Sequence, residues 1–310
     1  MNIREAHEKF ATDEQCLQYI QQMRWPDGVV RCPACGEKDI KRVERKATSK
    51  NRRAWFYLCL EKTCHNQFTP TSGTIFHDTH LPLIVWFQAI TLMLNAKKGI
   101  SAKQLQRDLG IGGYKTAWYL NHRIREVMQE GSIRKLGGIV EIDETYVGGK
   151  QRGKGVKYAI DSKDVVIGLR QRGGPLRFVQ AKDAKADTVY QIIAENVDKD
   201  VDAIMTDESP IYNFKLTQYH KARHDRIKHK DRVYVRGDVH TNTIESAFSL
   251  FKRGIVGSFH KVSIKHLQRY LDEFSYRFNR RADDSAFMET VCRLAGFAPL
   301  SFGKLTSEKV

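Results

Sequence analysis

Three carboxylates stand out for their places in the pattern of the chain. Asp143 lies inside an alternating run, Ile139–Val147, in which Val140 and Ile142 face one way and Glu141, Asp143 and Thr145 the other. A charge inside such a strand is awkward unless it has a partner. Asp207 ends a short apolar run, Asp202–Thr206. Glu245 sits in His240–Ile255, HTNTIESAFSLFKRGI, where Ile244, Phe248, Phe251 and Ile255 form the apolar stripe of a half-buried helix. If the fold brings these three acids together, they can hold two divalent ions about 3.5–4 Å apart, the arrangement that cleaves phosphodiesters. Carboxylate oxygens suit hard Mg²⁺ (or Mn²⁺), with the phosphate of a substrate completing the shell. On the same helical face Asn242 precedes Glu245 by a turn and Lys252 follows it by two. Taken alone, Asn242-x-x-Glu245 is also a capping box, with Asn242 at the N-cap. Glu141 and Glu144 are alternatives to Asp143, and Glu208 is an alternative to Asp207.

A second constellation is built from cysteines. Cys32-Pro-Ala-Cys35 is a tight turn answered by Cys59-Leu-Glu-Lys-Thr-Cys64, with the strand-forming residues Trp55, Phe56 and Tyr57 leading into Cys59. Two such pairs suit a tetrahedral structural Zn²⁺ held by Cys32, Cys35, Cys59 and Cys64. His65 is an adjacent alternative ligand, and two disulfides or free thiols are the competing explanation. Cys16 falls on the apolar stripe of a short helix, Thr12–Met23, and is expected in its core.

These sites need a polyanion partner, and the composition supplies the means. The 310 residues include 52 Lys and Arg against 36 Asp and Glu, a net charge of +16. Such an excess points to nucleic acid. Ser101–Gln129 reads as a helix–turn–helix, turned at Gly110, Gly112 and Gly113, with Ala117, Leu120, Ile124 and Val127 as the inner stripe of its second helix. Lys115, Tyr119 and His122 lie off that stripe, where a recognition helix meets the major groove. Phe214–Arg236 is crowded with Lys, Arg and His and leads into the Glu245 helix. Lys228, Lys230 and Arg232 within it, with Lys252 and Arg253 beyond it, are candidate DNA contacts. The start, MNIREAHEKF, is polar, and the longest apolar run, Leu81–Leu94, is too short for a bilayer, which needs roughly 20 residues. The expectation is a cytoplasmic, nucleoid-associated protein that meets no membrane.

The elements that must position the acids follow from periodicity. Strands are predicted at Ile139–Val147, Val165–Leu169, Leu176–Gln180 and Asp202–Thr206, with a turn at Gly173-Gly174-Pro175, a helix near Ala186–Val197 and a last long helix at Ser263–Arg281. That order describes an α/β domain with a mixed sheet. The expected divisions are an N-terminal helix over 1–27, a zinc ribbon over 28–79, a helix–turn–helix region over 80–136, a catalytic domain over 137–285 and a C-terminal tail over 286–310.

At IVEIDETYVGG, IMTDESPIY and HTNTIESAFSLFKRGI followed by GSFHKVS, the chain resembles the three signature blocks of DDE transposases of bacterial insertion sequences. RCPACG…LCLEKTCHNQFTPTSGTIFH resembles the zinc ribbon of insertion-sequence family fifteen-ninety-five. The resemblance implies an RNase H-like catalytic domain, Mg²⁺-dependent cleavage of the ends of the element and transfer of the 3′ ends into target DNA. It also implies at least a dimer on DNA. Asp143 matches the first acid and Asp207 the second. The third position is Glu245, with Lys252 at the spacing usual for these enzymes, or Asn242. Glu245 is favoured because a neutral amide is the weaker Mg²⁺ ligand. A DNA-binding regulator without catalysis, or a nuclease of the same fold that cuts without joining, are the competing functions.

Overall fold

The computed structural model describes residues 1–46, 55–130, 134–148, 163–212, 223–227 and 240–307. Its contacts divide the chain into two compact units. The first comprises Met1–Asn95, Ala102–Val127 and, among the described residues, the chain from Asp283 to Ser307. The second comprises Ala96–Ser101 and Met128–Ala282.

In the first unit, α1 (Ile3–Lys9) and α2 (Asp13–Arg24) precede a three-stranded antiparallel sheet of β1 (Ile40–Glu44), β2 (Trp55–Cys59) and β3 (Gln67–Phe68). The Thr12–Gln15 box starts α2 as its sequence predicts: Gln15 N–H donates to Thr12 Oγ1 at 3.2 Å and Thr12 N–H to Gln15 Oε1 at 2.9 Å. Helices α3 (Leu83–Asn95), α4 (Ala102–Asp108) and α5 (Tyr114–Glu126) follow. The segment expected as a tail is instead part of this core. It forms α9 (Ala286–Gly296) and α10 (Phe302–Ser307), burying Phe287, Val291, Leu294, Leu300 and Leu305. Phe287 stacks on Phe10 with ring centroids 5.7 Å apart, and Phe10 meets Phe87 edge-on at 4.7 Å. Large apolar side chains at that spacing cannot remain in water, which is why this stretch docks.

The second unit is built on a five-stranded mixed sheet in the order β6-β5-β4-β7-β8. Its strands are β4 (Ile139–Val147), β5 (Asp164–Gln171), β6 (Leu176–Ala181), β7 (Ala203–Asp207) and β8 (Arg223–Ile227). β4, β5 and β6 pair antiparallel, and β7 and β8 run parallel to β4. This is the RNase H-like arrangement. β8 lies in the basic stretch that carried no strand pattern, so the sequence missed it. The helices are α6 (Ala186–Asn196), α7 (Asn242–Gly254) and α8 (Ile264–Asn279).

Each sheet face has its own core. Val140, Ile142, Ile167 and Ile204 pack with Val189, Ile192 and Ile193 of α6. Val147, Val166 and Phe178 pack with Ile244, Phe248 and Phe251 of α7 and with Leu267, Leu271 and Phe274 of α8. The outer edge of β6 is satisfied by α8. Leu176, Phe178 and Gln180 donate their backbone N–H groups to Asn279 Oδ1, Ser275 Oγ and Gln268 Oε1 at 2.7, 3.2 and 2.7 Å. An edge that would otherwise template pairing is thereby closed.

Gly168 on β5 sets how closely α7 approaches. It pairs across the strands with Asp143, and a Cβ built on it would lie 2.5 Å from Phe248 Cζ and 2.7 Å from Ile244 Cδ1. Gly168→Ala therefore forces α7 away from the sheet, at a cost of about 1–3 kcal/mol. Thermal unfolding of this variant is expected several degrees below wild type. An unchanged transition would mean that α7 does not rest on β5.

Candidate functional site

β4 supplies the first acid. Val147 joins the α7–α8 core while Val140 and Ile142 join the α6 core, so the strand's alternation puts Glu141 and Asp143 on the α7 face. β7 supplies the second. Ile204 faces α6, which puts Met205 and Asp207 on the same face as Asp143. The β4–β7 ladder pairs Glu141 with Met205, and Asp143 and Asp207 each lie two residues further along these parallel strands. α7, seated on that face, carries Glu245 in its first turn.

Among the described residues the three acids do not close into a ligand cluster as the four cysteines do, but the charges of two of them reach the first. Asp143's carboxyl is pushed up to about 7, first by burial and then by the negative charges of Glu144, Asp207 and Glu245. The backbone N–H of Glu144, donating to Asp143 Oδ1 at 2.9 Å, offsets part of this. Like charges drawn together in a half-buried place are relieved by a proton or by a cation. The donor set is all carboxylate, the chemistry of a hard divalent ion. Asp207 Oδ1 accepts from the backbone N–H of Ser209 at 3.0 Å, and Glu245 Oε1 accepts from Thr241 Oγ1 at 2.8 Å. Lys252 and Arg253 are exposed on the last turn of α7.

Glu144 points the other way. Its Oε2 accepts from the Tyr212 hydroxyl at 2.6 Å, and burial raises its carboxyl. This bond ties the short 3₁₀ turn after Asp207, Pro210–Tyr212, to the central strand.

The capping box expected at Asn242–Glu245 is not formed. The N-cap is Thr241, whose side chain makes no capping bond, and Asn242 is the exposed first residue of the helix. The acceptor comes from the sheet. Glu141, wholly buried, takes Thr243 N–H, Thr243 Oγ1 and Ile244 N–H on Oε2 at 3.0, 2.7 and 3.1 Å. Its Oε1 takes Arg172 Nε at 2.7 Å and lies 3.2 Å from His240 Nδ1. A carboxylate offers about four lone-pair sites, so Glu141 is saturated and is no alternative ligand to Asp143. Its signal in the sequence was its parity with Asp143 on a strand whose alternate face had to be buried.

The cysteines converge as expected. Cys32, Cys35, Cys59 and Cys64 place their sulfurs within 4.8 Å of one another, and among the described residues they form the one such cluster of possible metal ligands. Cys32 Sγ lies 3.7 Å from Cys64 Sγ, and Cys35 Sγ 3.6 Å from Cys59 Sγ. Those separations are far too long for disulfides, whose S–S bond is about 2.05 Å. They match a tetrahedron of sulfurs about 2.3 Å from a central Zn²⁺, whose edges are about 3.8 Å. His65 lies outside the cluster, and Cys16 is buried in its helix as expected.

The proposed DNA-reading face of α5 needs correction. His122 is fully buried, its ring 4.3 Å from that of Trp118. The Tyr119 hydroxyl donates to the Leu300 carbonyl, and Lys115 Nζ sits 4.2 Å over the Phe302 ring. The C-terminal segment engages Tyr119, whereas Lys115 stays exposed beside Phe302 as periodicity expects. Ala117, Leu120, Ile124 and Val127 are buried as expected. Lys228, Lys230 and Arg232 lie outside the described residues. No helix among the described residues is long and apolar enough to cross a membrane.

Comparison with known proteins gives the family. Residues 135–279 match the ISXO2-like transposase domain, and residues 11–67 match the transposase zinc-ribbon domain. A curated relative from Halobacterium salinarum, an uncharacterized protein in transposable element ISH50, is 29% identical over 286 residues, covering 86% of this chain and 91% of its own length. A chain in the cryo-EM structure of a simian T-cell lymphotropic virus intasome in complex with PP2A regulatory subunit B56 gamma is 12% identical with a TM-score of 0.30. That match covers 61% of this chain and spans 65% of the other. With an ISXO2-like domain over the acid-bearing sheet and a transposase ribbon over the cysteine cluster, the chain belongs to the zinc-ribbon DDE transposases of insertion-sequence family fifteen-ninety-five.

Proposed function

We propose that this transposase binds the ends of its insertion sequence, cleaves them with divalent metal ions held by Asp143, Asp207 and Glu245, and joins the 3′ ends to target DNA. The observation that carries this reading is the placement of Asp143 and Asp207 on one sheet face at matching positions of parallel strands, close enough to Glu245 for their charges to raise Asp143. When bound, Mg²⁺ (or Mn²⁺) activates the attacking oxygen and stabilises the leaving one.

The chain's own residues supply the rest. Asp143 gives up its proton as its site is occupied. Thr241 holds Glu245 through its hydroxyl, and Ser209 N–H holds Asp207. Asn242, exposed at the start of the same helix, is the competing third ligand. Lys252 and Arg253 contact phosphate at the end of the element. Lys115, exposed on the same helix, remains a candidate DNA contact, whereas the Tyr119 hydroxyl is taken up by the Leu300 carbonyl. Holding two ends for joining takes at least two copies on DNA.

Strand transfer with Mg²⁺ on DNA bearing the terminal repeats tests the reading, with wild type beside Asp207→Ala. Wild type is expected to cut and join. The variant is expected to lose about three orders of magnitude in rate, on the order of 4 kcal/mol in barrier. Equal activity would sink the assignment, and cutting without joining in wild type would leave a nuclease.

A further inference from the structure

The geometry points to Glu141 as a positioning residue that sets where Glu245 stands relative to Asp143. This rests on the catalytic reading above. The first backbone N–H groups of a helix have no partner within it, and they carry the positive end of its dipole. In α7 the cap residue supplies no side-chain acceptor. Glu141 fills that role from the sheet, through Thr243 N–H, Thr243 Oγ1 and Ile244 N–H. Glu141 is two residues from Asp143 on the same face of β4, and Ile244 is next to Glu245. The connection between the first acid and the third is therefore a short length of strand, one carboxylate and one helical turn.

Two further contacts make this junction rigid. Arg172 follows β5 and donates through Nε to Glu141 and through Nη2 to the His240 carbonyl at 2.8 Å, so it clamps the segment entering α7 as well as the carboxylate. Gly168, level with Asp143, leaves room for Ile244 and Phe248 to press the helix against β5. A metal site tolerates little error in its ligands, and groups that orient ligands typically change metal affinity by about 10–100-fold when removed. Glu141 touches no reacting atom and acts by fixing the carboxylate that does.

Mn²⁺ binding to the full-length protein, followed by electron paramagnetic resonance well below the unfolding transition, tests this apart from activity. The proteins are wild type, Asp207→Ala, Glu141→Ala, Glu141→Gln, Thr243→Val and Arg172→Met. Asp207→Ala is expected to abolish binding at the acid cluster. Glu141→Ala is expected to weaken it by about 10-fold or more. Glu141→Gln, whose amide oxygen still accepts from Thr243 and Ile244, is expected to recover most of that loss. Should Glu141→Ala not fold, Thr243→Val removes the hydroxyl contact and Arg172→Met the clamp on Glu141 and His240, and each is expected to lower affinity measurably, by less than the loss of Glu141 itself. Wild-type affinity in a folded Glu141→Ala, or in both of these variants, alongside a dead Asp207→Ala, overturns the positioning role and spares the catalytic reading. Wild-type affinity in Asp207→Ala removes the metal site itself.

Discussion

Asp143→Asn is expected to make the protein inactive and, in buffer without added Mg²⁺, more stable above neutral pH. The wild-type carboxyl stands at about 7 in the folded chain, raised by burial and by Glu144, Asp207 and Glu245. Unfolded, it returns to the ordinary aspartate value of about 3.9. Below both values the group is protonated in either state and costs nothing. Between them the folded protein holds a proton that the unfolded chain releases, so stability falls as pH rises through this window. Above about 7 the full cost is present, at most on the order of 4 kcal/mol. The amide variant never carries the charge. Its unfolding temperature is expected to match wild type near about pH 4 and to exceed it by several degrees near about pH 8. Adding Mg²⁺ is expected to narrow the gap, because only the carboxylate gains from the cation. Strand transfer by the variant is expected to fall by about three orders of magnitude. A variant equally stable at both ends of the pH range would mean that the acids do not meet.

The sheet and its acids were legible in the sequence because alternation is a strong signal wherever a strand has one helix layer on each face. β4 had such layers, and its odd and even residues segregated cleanly. Asp143 was visible as a charge in a place that disfavours charge, and Asp207 as the end of an apolar strand. β8 was not visible, because RHDRI at the sheet's edge has no apolar run to betray it. The helix–turn–helix shows a different failure. Its inner stripe was read correctly, but a stripe says only which face is buried first. Phe302 and Leu300 lie far along the chain and engage Tyr119 on a second face, while His122 is buried with its ring against Trp118 of its own helix. The start of α7 failed for a related reason. Asn242 and Glu245 have the spacing of a local box, and local patterns carry no information about an acceptor arriving from a strand distant in sequence. Glu141 won that competition by bonding the first N–H groups of the helix from the sheet, held in turn by Arg172.

Removing the zinc is expected to unfold the ribbon and to disturb the helix beside it. β3 has two residues, and among the described residues from Cys32 to Phe68 the buried side chains are few: Trp55, Tyr57 and Phe68 with Cys32 and Cys59. So small a core does not hold a fold alone, and a structural Zn²⁺ supplies roughly 10–16 kcal/mol in comparable modules. The ribbon also leans on α2. Trp55 Nε1 donates to Glu14 at 3.0 Å, and the Tyr57 hydroxyl donates to Gln21 at 2.9 Å. Loss of the ion therefore reaches α2 through two buried aromatic anchors. Burial pushes the Cys59 thiol up to about 12, so that without a metal it stays protonated at neutral pH. Zinc uptake at neutral pH must then displace that proton, and acid is expected to favour release of the ion. Cys59→Ser, which keeps the size but cannot offer a thiolate, is expected to lose stoichiometric zinc and to shift Trp55 fluorescence toward that of a solvated indole. The RNase H-like unit, which contains none of these cysteines, is expected to keep its own unfolding transition. Stoichiometric zinc in the serine variant would contradict the four-cysteine ligand set. A single shared transition lost on chelation would contradict that expectation.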